Sequence, residues 1–159
     1  MQTWVTRDEL AAGRTSCPMD YPRPEYSEYA YFVQKLSVSS LYLERNQTYL
    51  GHCVLIYDPA PVTRIDQLSP EQWLALARDL RVAETAIYRA FRPDHMNVES
   101  LGNVMPHLHW HIVSRHKNDG RWGGPIWTTT SAEMRRKELG DSEYRALASR
   151  IRNAIEDDA

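Results

Sequence analysis

The stretch Pro106-His107-Leu108-His109-Trp110-His111-Ile112-Val113-Ser114-Arg115 (PHLHWHIVSR) decides how the chain reads. Three of its six histidines stand at every second position, with apolar residues between and after them. In a β-strand, residues i, i+2 and i+4 point to one face. His107, His109 and His111 therefore form a row, and Leu108, Trp110 and Ile112 turn to the opposite side. A helix would scatter the three rings. The segment reads as a strand with an apolar face against a core and an imidazole face directed elsewhere.

Working outward, HMNVESLGN (95–103) reads as a preceding strand that runs to a turn at Gly102-Asn103. Before it lies the clearest helix. Ser69 caps, Pro70 takes the first helical position and Gln72 stands at the capping-box position. Trp73, Leu76, Leu80, Ala83, Ile87, Ala90 and Phe91 then recur at helical spacing, and Arg92-Pro93 ends the run. Further upstream, GHCVLIYDP carries an apolar run from Cys53 to Tyr57, closed by Pro59-Ala60-Pro61, the mark of a central strand. YAYFVQKLSVSSLYLERN supplies strand-forming residues before it, with VSSLYLE (38–44) alternating. The short link between these two segments favours antiparallel pairing. CPMDYPRPEYS (17–27), with three prolines, reads as irregular.

Downstream of Arg115, HKNDGRWGGPIW is a loop holding two tryptophans. Thr130 and Glu133 suggest a second capping box opening MRRKELG, with Gly140 as its stop. Tyr144, Leu147, Ile151 and Ala154 are spaced for a final amphipathic helix. The pattern is α+β: an antiparallel sheet of about five strands, one long helix and C-terminal helices. No repeat or composition break divides residues 1–159, so a single domain is expected.

Composition narrows the function classes. With 19 Lys and Arg against 21 Asp and Glu, the net charge of −2 gives no general attraction to nucleic acid or to an anionic membrane. No window approaches the ~20 apolar residues needed to span a bilayer. Asp8 and Glu9 occupy positions where a secretory signal would be apolar. Cys17 and Cys53 form no CxxC pair and no disulfide framework, which suits a reducing, cytoplasmic setting.

Three chemistries fit the histidine row. The first is structural, inert rings on a half-buried face, at the cost of finding each ring a hydrogen-bond partner. The second is a metal site. However, i and i+4 on one strand lie ~13 Å apart, whereas zinc needs nitrogens at ~2.0–2.1 Å. Outer rings on a flat strand converge poorly, and the nearby carboxylates are only Glu99 and Asp119. The third is nucleophilic attack by a neutral imidazole on phosphorus, with neighbouring donors stabilising the phosphate oxygens.

The segment His107-Leu108-His109-Trp110-His111-Ile112-Val113 resembles the signature of the histidine triad (HIT) family of nucleotide hydrolases and transferases. The surroundings agree: Gly51-His52 before a strand, Leu68-Ser69-Pro70-Glu71 at a helix start, and MNVESLGN ending just before the triad. The resemblance covers about residues 38–116. It implies a HIT-like fold, a homodimer with sheets extended across the interface, and a nucleotide substrate, most readily a dinucleoside polyphosphate such as diadenosine tetraphosphate. A dinucleoside polyphosphate phosphorylase, a nucleoside phosphoramidate hydrolase and a non-catalytic nucleotide-binding module are the alternatives. It further implies that His109 is the nucleophile, that His111 serves the phosphate and leaving group, and that His107 braces them. Asn97, Asn103 and His52 match phosphate-side or supporting positions, and Asn46 lies near the ribose-binding position. Asn103 also fits a plain turn residue, and His52 a satisfied core ring.

No bound cofactor is expected, beyond a divalent cation accompanying a polyphosphate substrate. Cys17-Pro18-Met19-Asp20 lacks the second cysteine of the zinc site found in some relatives, so no structural metal is expected. Pro106 lacks a backbone donor, so its position must lie at a strand end or away from pairing. The loop RWGGPIW resembles an element of bacterial relatives that hydrolyse dinucleoside polyphosphates. Trp122 or Trp127 could stack on a base there, although tryptophans so placed more often close a core or an interface.

Overall fold

The computed structural model describes residues 17–128 and 137–156. The second capping box, at Thr130 and Glu133, lies outside them. Five strands form one antiparallel sheet: β1 (Ala30–Lys35), β2 (Ser39–Glu44), β3 (Cys53–Tyr57), β4 (His95–Glu99) and β5 (His109–Arg115). Their order is β1-β2-β3-β5-β4, so the histidine strand lies inside the sheet and β4 at its edge. Helix α1 (Pro70–Phe91) makes the crossover from β3 to β4, and α2 (Asp141–Glu156) follows the tryptophan loop.

Alternation along the strands sorts the residues into two faces. Leu41, Leu43, Cys53, Leu55 and Ile112 join Ala83, Ile87, Phe91, Tyr144 and Ile151 in the main core beneath the helices. Leu108 and Trp110 pack with Tyr57 and Leu76 on the same side. On the opposite side Tyr42, Val54 and Ile56 pack with Met19 of the irregular leading segment. The register pairs Ile56 with His109, Val54 with His111 and Glu99 with His111. The histidine row therefore occupies the face away from the helices.

Helix α1 begins as its sequence requires. The Ser69 hydroxyl accepts from Gln72 N, and the Gln72 side chain accepts from Ser69 N at 2.8 Å. It ends at Arg92 in the left-handed region, φ 49°, with Pro93 next. Asp79, buried on its inner face, reaches the β1–β2 turn. Its carboxylate accepts from Ser37 N, Ser37 Oγ, Val38 N and Ser39 Oγ at 2.6–3.1 Å. That carboxylate ties helix to sheet directly over the turn.

One boundary differs from the alternation. β5 begins at His109, so His107 precedes the regular strand. Pro106 offers no N–H, and His107 N turns back to Met105 O at 2.8 Å, which takes that residue out of the ladder. No helix among the described residues is long and apolar enough to cross a membrane.

Candidate active site

The β2–β3 connection positions the first supporting ring. Gln47, which is buried, donates to Glu44 O at 2.6 Å and to His52 O at 3.2 Å, and accepts from Gly51 N at 2.8 Å. Gly51 has φ +86°, and a Cβ there would sit 2.5–2.9 Å from the Phe91 ring. Only glycine lets the chain turn this tightly against the helix end. His52 then enters the histidine face, and its Nε2 lies 3.1 Å from His111 Nδ1.

The three triad rings have different surroundings. His107 donates from Nε2 to Tyr57 O at 2.7 Å and turns Nδ1 toward Asp20 Oδ1 at 3.2 Å. His109 donates from Nδ1 to His107 O at 2.6 Å. This bond fixes the tautomer and leaves Nε2 as a lone-pair nitrogen, with no hydrogen-bond partner among the described residues. His111 lies 5.2 Å from His109, centroid to centroid, and 4.7 Å from Trp127, edge to face in both cases. The Trp127 indole N–H donates to the Glu99 carboxylate, so the tryptophan is latched across β4 over His111.

Burial sets the charge state of these rings. Desolvation lowers the His109 pKa, and the neighbouring His107 lowers it further against the opposing pull of its backbone bond. Desolvation pushes His52 down to about 4 and His111, with His52 and His109 beside it, to about 3. Near neutral pH His52, His109 and His111 are uncharged. The His52–His111 hydrogen bond requires at least one of the two to be neutral, since two imidazolium rings would direct protons at one another.

A stability prediction follows from these depressed values. In the unfolded chain both rings protonate near 6.5, but in the folded chain they resist protonation down to about 4 and about 3. Their stability contribution is therefore complete above about pH 6.5 and is lost as pH falls toward the folded values, by up to about 1.4 kcal/mol per pH unit and ring. Urea titrations between pH 7.5 and 5 should show this loss, and His52→Gln should flatten it. An equal slope in the variant would contradict the assignment.

Arg115, four residues beyond His111 and on the same face, is buried at the root of the tryptophan loop. Its guanidinium donates to Asp119 Oδ2 at 2.6 Å, Asn97 Oδ1 at 2.5 Å, Gly124 O at 2.8 Å and Arg121 O at 2.7 Å. Ile126 anchors the loop's far side against Val113 and Tyr49. Between this loop and β4 opens a cleft of about 420 Å³, lined by Asn97, Glu99, Arg115 and Trp122 among others. Trp122 and Trp127 remain about half exposed.

The predicted polar residues divide accordingly. His52 and the triad come together, and Asn97 stands beside them, joined to Arg115. Asn103 is exposed and lines a separate cleft, near Arg64 and Pro106. Asn46 accepts from Thr48 N, Thr48 Oγ1 and Lys137 N, and so works as a loop cap. Among the described residues neither Asn46 nor Asn103 contacts an imidazole. Sequence reasoning gave no site role to Asp20, Gln47, Glu99 or Arg115. For Glu99 and Arg115 a signal existed, because strand alternation puts both on the histidine face.

Among the described residues two groups each bring three donor atoms within 4.8 Å of one another: Cys17, Asp20 and His107, and, separately, Glu44, His52 and His111. In the second, one nitrogen of each imidazole is already engaged with the other ring. The first combines thiol, carboxylate and imidazole, with His107 Nε2 backed by a carbonyl as metal-ligating histidines often are. Asp20 thus supplies a donor that the cysteine spacing did not reveal. Three protein ligands are one short of a closed structural zinc site.

A family model for the HIT domain matches residues 27–118, more than half of the chain. The chain belongs to the histidine triad (HIT) family. Solved HIT structures superpose over almost the whole chain. A histidine triad protein from Bradyrhizobium japonicum has TM-score 0.73 and 21% identity, covering 97% of this chain and 99% of its own. One from Marinobacter aquaeolei VT8 has TM-score 0.72 and 20% identity, covering 99% and 100%. One from Sinorhizobium meliloti 1021 has TM-score 0.72 and 18% identity, covering 96% and 97%. At these identities the likeness shows the HIT fold. No curated protein matches the chain.

Proposed function

We propose that this HIT protein is a nucleotide hydrolase or nucleotidyl transferase that works through a covalent nucleotidyl-histidine on His109. The observation that carries the reading is the 2.6 Å bond from His109 Nδ1 to His107 O, which leaves Nε2 unprotonated and, among the described residues, without a partner. That lone pair attacks the α-phosphorus of a nucleotide, a P–N bond forms, and the bond to the leaving group breaks. Water then attacks the same phosphorus, releasing a nucleoside monophosphate and restoring neutral His109.

The supporting rings divide the remaining work. His107 holds the carbonyl that orients His109, while Tyr57 O and Asp20 hold the His107 ring. His52 and His111 share one proton along their 3.1 Å contact. With that proton on His52 Nε2, the second proton of the neutral pair sits on His111 Nε2, where it can hydrogen-bond to a phosphate oxygen or to the developing charge on the leaving-group oxygen. The substrate we favour is a dinucleoside polyphosphate such as diadenosine tetraphosphate, with a divalent cation carried by the phosphates. Asn97 stands nearest to serve them. Asn103 would need loop movement to do so, and Asn46 acts only by shaping its loop. We extend the proposal to a homodimer.

Acid-free quenching of a reaction with labelled substrate, followed by mass mapping, should find one nucleotidyl group on His109. Label on another residue, or none during steady turnover, would refute the covalent route. Turnover in oxygen-18 water, with and without phosphate, identifies the acceptor: label in the monophosphate means hydrolysis, and a nucleoside diphosphate means phosphorolysis.

A further inference from the structure

The chemistry of the triad leaves open where the leaving group goes and what it meets. On the β3 side of the row, Val54 and Ile56 are covered by the leading segment through Met19. On the β4 side, beyond His111, lies the cleft bounded by Asn97, Glu99 and Trp122. Glu99 pairs directly with His111 across the strands, on the same face. Its carboxylate holds the indole N–H of Trp127, whose ring stands 4.7 Å from the His111 ring.

The electrostatics of that cleft are unusual for a site that receives phosphates. Among the described residues lining it, Arg115 is the one permanent cation, and its donors are committed to Asp119, Asn97 and two carbonyls. No guanidinium or ammonium there is left to compensate Glu99. A phosphate chain departing past His111 therefore meets a carboxylate first.

We infer that Glu99 is a specificity-determining residue that filters leaving groups by charge, with Trp127 as its cover. The inference rests on the covalent reading of His109. A bare polyphosphate is repelled, and the same chain neutralised by a divalent cation is admitted. An uncharged leaving group does not sense the filter. Each uncompensated unit charge brought within several ångströms of Glu99 costs about tenfold in affinity at this half-exposed position. The cover matters because, among the described residues, the indole N–H is the only hydrogen-bond donor to this carboxylate.

Glu99→Gln tests the filter, since its amide oxygen can still accept from Trp127 while the charge is gone. Two substrates are compared without divalent cation: diadenosine tetraphosphate and an adenosine monophosphate ester with an uncharged aryl leaving group. The ratio of their kcat/KM values should shift about tenfold toward the polyphosphate in the variant. Magnesium should then raise polyphosphate turnover less than it does in the parent. Trp127→Phe, which removes the indole donor and keeps the charge, should shift the ratio the other way.

An unchanged ratio in Glu99→Gln, or a shift toward the ester, would overturn the proposal. Calorimetric binding of ATP and of adenosine, again without divalent cation, gives a readout that needs no turnover. Glu99→Gln should tighten ATP relative to adenosine, and equal effects on both would also overturn it. If the parent turns over neither substrate, the covalent reading fails, while the binding comparison still decides whether Glu99 filters charge.

Discussion

Replacing His109 with alanine should lower turnover by about 10⁴-fold or more, because the nucleophile itself is lost and water must attack the phosphorus unaided. The fold should survive. Among the described residues the His109 side chain hydrogen-bonds only to the carbonyl of His107, and its removal strands no buried partner other than that oxygen. Asparagine is the sharper variant. Its amide can still donate to His107 O, so it retains the anchoring bond and removes only the nucleophilic nitrogen. Equal losses in the two variants would show that nucleophilicity, and not anchoring, carries the rate. His111→Ala should cost less, about 10²-fold, as expected for a group that hydrogen-bonds to an oxygen. Steady-state kinetics on purified protein, with circular dichroism as the fold control, provide the measurement. Parent-like activity in His109→Asn would remove His109 from the mechanism.

The largest effect on stability is expected at Asp79→Ala. Its carboxylate collects four donors from the β1–β2 turn, and among the described residues the turn has no other hydrogen bond to α1. Ser37 is exposed, so its two donors can return to water. Val38 N is half-buried and Ser39 Oγ is buried, so they recover less. Losing bonds to a charged acceptor while leaving such donors unpaired costs about 2–4 kcal/mol. Urea unfolding should show the midpoint falling with little change in slope. A loss below about 0.5 kcal/mol would mean that the turn closes without help from the helix. The site lies on the other face of the sheet, so the kcat of the folded fraction should stay near that of the parent.

How far the sequence could be read follows from the kind of signal each feature leaves. The histidine alternation, the Ser69–Gln72 capping box and the apolar run of β3 are local and periodic. They identify their elements directly, and the family model and the fold bear that reading out. Pro106 marks its own position as incompatible with central pairing, but alternation alone still carries His107 into the strand. A backbone turn at Met105–His107 has no periodicity to betray it.

The polar residues around the rings were harder. Asparagine serves phosphate and tight turns equally well, and the structure finds Asn46 capping a loop and Asn103 exposed on another. The partners that shape the row come from far along the chain: Asp20 to His107, His52 to His111, Trp127 to Glu99. Such pairs depend on which strands become neighbours, and β5 lies between β3 and β4 only because α1 carries the chain across. The resemblance placed His52, whereas Asp20 and Glu99 had no motif to announce them.

Arg115 grips the tryptophan loop through two main-chain carbonyls, those of Arg121 and Gly124, and through the Asp119 carboxylate, while Asn97 of β4 ties it to the sheet. Asp119 apart, a clamp of that kind is nearly indifferent to which residues the loop displays. Trp122 and its neighbours could be exchanged during divergence without loosening the anchorage or disturbing the histidines beneath. Substrate range and catalytic chemistry would then drift on separate schedules, the one in a replaceable segment and the other in a strand that tolerates almost nothing.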